Sequence, residues 1–190
     1  FRTRLAYDEL FARQCALRLR RSHRRKEPGR AIVCDDSRAG ALLKSLPYAP
    51  TGAQRRAVAE IFADMGEPAP MLRLLQGDVG SGKTLVAALA MARVAEAGLQ
   101  SALMAPTDLL ARQHGATLAP MLEAAGVAMV VLTGRDKAKD RKAILERLAS
   151  GKAAVVVGTH ALFQEEVVFR DLGLIVIDEQ HRFGVSDRMR

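Results

Sequence analysis

Apolar residues recur along this chain with two different spacings. Over residues 3–25, Tyr7, Leu10, Phe11, Cys15 and Leu19 fall three or four apart, the spacing of one helix face. Over 51–65, Ala57, Val58, Ile61 and Phe62 repeat the pattern; Thr51 stands as N-cap and the string GEPAP closes the helix. Beyond it, short apolar runs alternate with helical stretches. The runs 72–75, 102–104, 127–132, 154–157 and 174–177 are apolar at nearly every position, which predicts strands covered on both faces. Helices are predicted at 83–97, 108–125 and 137–149. Gly98 and Gly151 stop two of them. Pro120 predicts a kink or restart in the third. Strands alternating with helices predict parallel pairing and right-handed crossovers. The expected fold is α/β, a doubly wound parallel sheet preceded by an N-terminal helical connector. The connector is placed at residues 1–47 and the sheet domain at 48–190.

Composition narrows the function classes. At 190 residues the chain can bury one good core. No stretch approaches 18 consecutive apolar residues, so no membrane span is predicted. The chain opens on Phe1 rather than Met, which leads to the expectation of a processed chain or an excised fragment. Net charge is +8, and residues 1–30 hold ten Lys or Arg against three acids. Such a run is either an electrostatic footprint for nucleic acid or a solvated helix face with a linker. Cys15 and Cys34 form no disulfide framework, and the four scattered histidines no metal pattern. Both thiols read as reduced, so a cytoplasmic protein is expected.

Chemistry concentrates in two places. Residues 77–84, GDVGSGKT, match G-x-x-x-x-G-K-[ST] in full, between an apolar run and the start of an apolar helix. Gly77, Gly80 and Gly82 permit a tight turn that, with Asp78, Val79 and Ser81, aligns backbone N–H groups as an anion nest. The helix N-terminus adds its positive end. Lys83 brings a point charge to the β and γ phosphates, and the Thr84 hydroxyl suits Mg²⁺. A chance glycine-rich turn is the bland alternative, and it leaves this register unexplained. The string LGLIVIDEQH, residues 172–181, ends an apolar run in two carboxylates. At the C-terminal end of a parallel strand near a P-loop, Asp178 is expected to serve the metal through water. Glu179 is expected to position or deprotonate the attacking water. Without the P-loop, the pair would read as surface acids.

GDVGSGKT followed by DEQH resembles the superfamily 2 helicases and translocases of the DExH group. The longer strings GDVGSGKT, MAPTDLLARQH, VVGTHALFQEEVVF and LGLIVIDEQHRFGV resemble a narrower family, the RecG type of branch-migration helicase. The opening RLAYDELFARQCAL is similar to the helix that joins the wedge domain of that family to its motor. The resemblance covers nearly all of the chain. It implies a RecA-like first motor lobe that uses ATP and Mg²⁺ and acts on branched DNA, stalled forks and Holliday junctions, in recombination and repair. It also implies roles for particular residues. Gln54, in PTGAQ, would read adenine, since an amide both donates and accepts; Tyr48 would stack near the base. In APTDLLARQH, Thr107 would meet a DNA phosphate, with Arg112 and Gln113 beside it. Thr159 and His160 of GTH, and Gly134 and Arg135 of LTGRDK, would track the DNA backbone. Gln180 and His181 would couple the nucleotide site to DNA, and His181 is counted with Lys83, Asp178 and Glu179 in the catalytic set.

Plainer readings stay open for several of these. Thr107 is also a good N-cap, Gly158-Thr159 can simply end a strand, Gln54 can be a surface polar residue, and His181 can be structural. Pro50 and Asp108 depart from the family pattern, which has Leu and more often Glu there. No second-lobe motif follows and no wedge precedes, so the chain is expected to be lobe 1 with its connector, completed by a wedge and a second lobe of the same protein. Three other readings compete: a lobe of a transcription-repair coupling translocase, which typically has D-E-E-H where this chain has DEQH; a nucleotide-gated DNA-binding module without motor activity; and an α/β NTPase such as a small-molecule kinase, which fits the P-loop but leaves APTDLLARQH and VGTH unexplained.

Overall fold

The computed structural model describes residue 11 and residues 29–178. Of the helix expected over 3–25, only Phe11 is described, and it is helical. The arginine-rich run, Glu179, Gln180 and His181 lie outside the described residues.

Five helices and four strands follow: α1 Ser37–Ser45, α2 Gly52–Met65, α3 Lys83–Glu96, β1 Gln100–Met104, α4 Asp108–Ala124, β2 Met129–Leu132, α5 Ala138–Ala149, β3 Val155–Gly158 and β4 Leu172–Ile177. A 3₁₀ turn, His160–Phe163, lies between the last two strands. The strands pair in parallel in the order β2-β3-β1-β4. The expected α/β parallel sheet is the one observed.

Side-chain alternation divides the sheet into two faces. Leu103, Val155 and Val157, with half-buried Val131, Leu174 and Val176, pack against α1, α3 and α4. Ala102, Val130, Leu132 and Val156 point the other way, onto Leu148 of α5 and Leu162 of the 3₁₀ turn. Fully burying one such aliphatic side chain contributes about 1.5–3 kcal/mol, so these two layers hold the domain together. Approach is close on the first face: a Cβ at Gly115 of α4 would stand 2.6 Å from Val131 Cγ2. Gln100 is buried, and its amide supplies the polar ties between layers. It donates to the Leu148 and Ala153 carbonyls and accepts from the Asp171 N–H.

Two expectations are corrected. The run 72–75 is not a strand; Leu72 and Leu74 are 71% and 78% exposed, while Met71 and Leu75 lean on the Ile61 and Met65 cluster. Apolarity marks a tendency to be buried, but a strand also needs a neighbouring ladder, and among the described residues nothing pairs with this run. α4 continues through Pro120 as one helix; a proline there removes one hydrogen bond without ending the element. The helix α1 also packs onto the sheet domain. α1 was not anticipated, and its Ala39 and Leu42 are buried in the same cluster as Leu85 and Leu103.

α1 is held by an unusual exchange of partners. Its N-cap residue, Asp36, adopts φ 59° and gives no side-chain cap. The Asp36 carboxylate instead accepts two bonds from Arg93 on α3, at 2.8 and 2.9 Å. Glu96 supplies the missing cap from outside, accepting from the N–H groups of Ser37 and Arg38.

A candidate nucleotide and DNA site at one sheet edge

Topology alone brings the two chemical motifs together. α3 leads through Gly98 into β1, so it runs back along the sheet. Its N-terminus, and the P-loop before it, therefore lie at the edge where the parallel strands end. Asp178 follows β4 at that same edge and continues the ladder, its N–H donating to the Met104 carbonyl at 2.9 Å. Alternation then sets its direction: Leu174 and Val176 face α3 and α4, so Asp178 does too. Edges of this kind are where open α/β sheets bind ligands.

The P-loop has the backbone that its glycines allow. Gly80 and Gly82 sit at φ 82° and 81°, left-handed values that an L side chain rarely adopts. Ser81 N–H closes a turn on the Asp78 carbonyl at 3.1 Å. Lys83 Nζ donates to the Gly77 and Asp78 carbonyls at 2.7 and 2.8 Å, which holds the ammonium over the loop. Val79 is fully exposed at its tip. α2 and α4 are each capped by a threonine side chain, whereas α3 begins at Gly82 without one. Its first N–H groups have no side-chain cap, and a helix N-terminus favours an anion by about 0.3–1 kcal/mol.

Gln54 meets this loop from α2. Its Oε1 accepts from the Thr51 N–H and its Nε2 donates to the Ser81 carbonyl, both at 2.8 Å. With Thr51 Oγ1 accepting from the Gln54 N–H, the pair forms a capping box. Gln54 therefore joins the start of α2 to the P-loop. Tyr48 is half exposed nearby in sequence.

Asp178 has a partner that sequence reasoning missed. His114 Nε2 donates to Asp178 Oδ2 at 2.6 Å, and both side chains are part-buried. One signal was available: His114 lies seven residues after Thr107, on the stripe of α4 that also carries buried Ala111 and Leu118 and so faces the sheet. The donor set suits magnesium. Thr84 and Asp178 offer hard oxygen atoms, and no group of three or more His, Cys, Asp or Glu side chains among the described residues forms a dedicated metal cage. Magnesium is commonly held by one or two protein oxygens, with phosphate and water completing its shell.

The residues expected at DNA sit at the ends of β1, β2 and β3, along the same edge. Thr107 is in fact the N-cap of α4, its Oγ1 accepting from the Leu110 N–H. Arg112 Nη2 donates to Thr133 Oγ1 and to Asp136 Oδ1, each at 3.0 Å. Arg135 is 86% exposed and stands 3.5 Å from Asp108. Gln113, Gly134 and His160 are exposed, but Thr159 is only 2% exposed and so is not open to a surface ligand. The exposed member of GTH is His160. Both arginines of this surface are paired with acids, so it is less basic than a count of arginines implies.

A family model described as DEAD/DEAH box helicase matches residues 51–190. The chain is 48% identical over 186 residues to the ATP-dependent DNA helicase RecG of Escherichia coli (strain K12), covering 98% of this chain and 27% of that protein. It is 45% identical over 190 residues to the RecG of Bacillus subtilis (strain 168), covering 100% and 28%. The chain thus spans about a quarter of the length of the curated relatives it matches. Among solved structures, RecG bound to a three-way DNA junction matches with a TM-score of 0.87 at 46% identity, over 96% of this chain and 25% of that one. A hypothetical ATP-dependent RNA helicase from Sulfolobus tokodaii shares the fold, with a TM-score of 0.58 at 18% identity, over 78% of this chain and 42% of that one.

Proposed function

The chain belongs to the DEAD/DEAH box helicase family, and we propose that it is the ATP-binding lobe of a helicase that remodels branched DNA. In this proposal the P-loop and the N-terminus of α3 hold the phosphates, with Lys83 neutralising the β and γ groups. Thr84 and Asp178 would hold Mg²⁺, which would supply charge neutralisation at the transferred phosphoryl group. Glu179 positions the attacking water, and His181 and Gln180 relay the state of the site to DNA. Gln54 reads adenine with the donor and acceptor capacity left after its two protein bonds. Thr107, Arg112, Gln113, Gly134, Arg135, Thr159 and His160 form the surface assigned to the DNA backbone, Thr159 requiring a local opening. The carrying observation is the convergence of an uncapped helix N-terminus and a strand-end carboxylate on one edge and one face of the sheet.

A wedge domain and a second lobe of the same protein are proposed as partners, together with forked and junction DNA, in a bacterial cytoplasm. The similarity to a RecG seated on a three-way junction supports the choice of branched DNA. A second lobe would supply arginine fingers, each worth about 10³–10⁵ in rate. Steady-state ATP hydrolysis by the full-length protein is expected to rise with junction DNA and to vanish in Lys83→Ala. The 190-residue chain alone is expected to bind nucleotide weakly and to turn over slowly or not at all. A Lys83→Ala variant with normal turnover, or an isolated chain as fast as the full-length protein, rejects the proposal.

A further inference from the structure

We infer that His114 is a positioning residue: it orients the Asp178 carboxylate for magnesium and ties that carboxylate to α4. The inference rests on the nucleotide site proposed for the P-loop. Its own ground is the 2.6 Å bond from His114 Nε2 to Asp178 Oδ2. That bond joins two elements that are 64 residues apart in the chain.

The geometry gives the bond a specific task. A carboxylate at a strand end can rotate about two side-chain bonds, and each orientation points its two oxygens differently. A ring N–H fixed on Oδ2 selects one orientation and leaves Oδ1 with no protein partner among the described residues. The donor is largely buried, with 19% of its side chain exposed. His114 sits on α4 between buried Ala111 and Leu118 and next to Gly115, where an added Cβ would stand 2.6 Å from Val131 Cγ2. Hydrogen-bonded partners of metal-binding groups orient those groups, and removing such a partner typically costs about 10- to 100-fold in metal affinity.

The same helix carries the surface assigned to DNA. Thr107 caps α4, Arg112 reaches from it to Thr133 and Asp136, and Arg135 pairs with Asp108 in its first turn. Thr107 and His114 are seven residues apart, on one stripe of the helix. A shift of α4 at its N-terminus is therefore delivered to Asp178 through a single rigid ring. His114 links DNA contact to metal geometry without touching either ligand.

The test uses the full-length protein and a fluorescent ADP titrated once in Mg²⁺ and once in excess EDTA. In His114→Ala the gain in affinity conferred by Mg²⁺ is expected to shrink about 10- to 100-fold, with the EDTA affinity unchanged. His114→Gln places an amide N–H near the position of Nε2 and is expected to restore most of the gain. The ratio of junction-stimulated to basal ATP hydrolysis is expected to fall in the Ala variant and to recover in the Gln variant. A parental Mg²⁺ gain in His114→Ala overturns the inference. So does a Gln variant as impaired as Ala with the same melting temperature. Lys83→Ala run in parallel separates the two levels: if it leaves nucleotide affinity intact, the P-loop assignment itself fails, whatever His114 does.

Discussion

Gln54 Nε2 donates to the Ser81 carbonyl at 2.8 Å, so one amide on α2 braces the apex of the P-loop 27 residues away. The same amide accepts the Thr51 N–H and completes a capping box. Gln54→Ala removes both contacts. It is expected to cost about 1 kcal/mol of stability and to weaken nucleotide binding. Gln54→Glu keeps the acceptor for the cap and loses the donor to Ser81. Thermal melts beside nucleotide titrations should show stability restored in the Glu variant and nucleotide affinity still reduced.

Gly80 and Gly82 share nearly the same φ but not the same surroundings. A Cβ at Gly80 meets nothing within 4 Å, whereas one at Gly82 would stand 2.3 Å from Gln54 Nε2. Gly80→Ala is therefore expected to cost only the left-handed strain, about 1–2 kcal/mol. Gly82→Ala carries that cost and also displaces Gln54. Its melting temperature should fall further, and its loss of nucleotide affinity should resemble that of Gln54→Ala.

Glu96 makes the docking of α1 sensitive to acid. Burial would raise its carboxyl, but hydrogen bonds involving the Asp35 side chain, Ser37 and the Arg38 amide prevail and hold it at about 2, below its ordinary 4.5. A depressed carboxyl contributes stability that is complete above the unfolded value and is lost as pH falls through the folded one. The parent should therefore lose stability between pH 4.5 and about 2, and Glu96→Ala should lose less across that window. At neutral pH the variant should be the less stable by about 1 kcal/mol, the worth of a helix cap. Melting temperatures measured against pH decide the matter.

Arg135 and Arg112 test the proposed DNA surface differently. Arg135 is mostly in solvent, and its ion pair with Asp108 is worth about 0–1 kcal/mol. Arg135→Ala should leave the melting temperature nearly unchanged, while the slope of log affinity against log salt for junction DNA loses about one unit. Arg112→Ala also frees Asp136, which accepts from the Thr133 N–H. That variant should lose stability as well as affinity. An unchanged salt slope in Arg135→Ala would remove this loop from the DNA surface.

Much of the scaffold is written locally. Apolar runs, a threonine before each of two helices and glycines after others are enough to place four of the five expected strands and their helices, because these signals act within a few residues. The P-loop is equally legible, since its register of glycines, Lys83 and Thr84 is a contiguous backbone device. Even the direction of Asp178 follows from counting by two from Leu174 and Val176. The failures have one cause. Residues 72–75 have the apolarity of a strand, but pairing is a property of neighbours. α1 shows a weak pattern because its cap is borrowed from Glu96 and its first charge is spent on Arg93.

By itself, then, the sequence determined the period of most elements, the register of the glycine-rich loop and the edge on which the two motifs stand. Tertiary structure alone decided which side chains meet: His114 on Asp178 and Gln54 on Ser81 at that edge, Arg93 on Asp36 at the other end of α3, with Thr159 buried. The division is physical. Hydrogen-bonding propensity and periodicity are set by adjacent residues, whereas a contact across 27 or 64 positions exists only after a parallel sheet has brought distant strand ends to one edge.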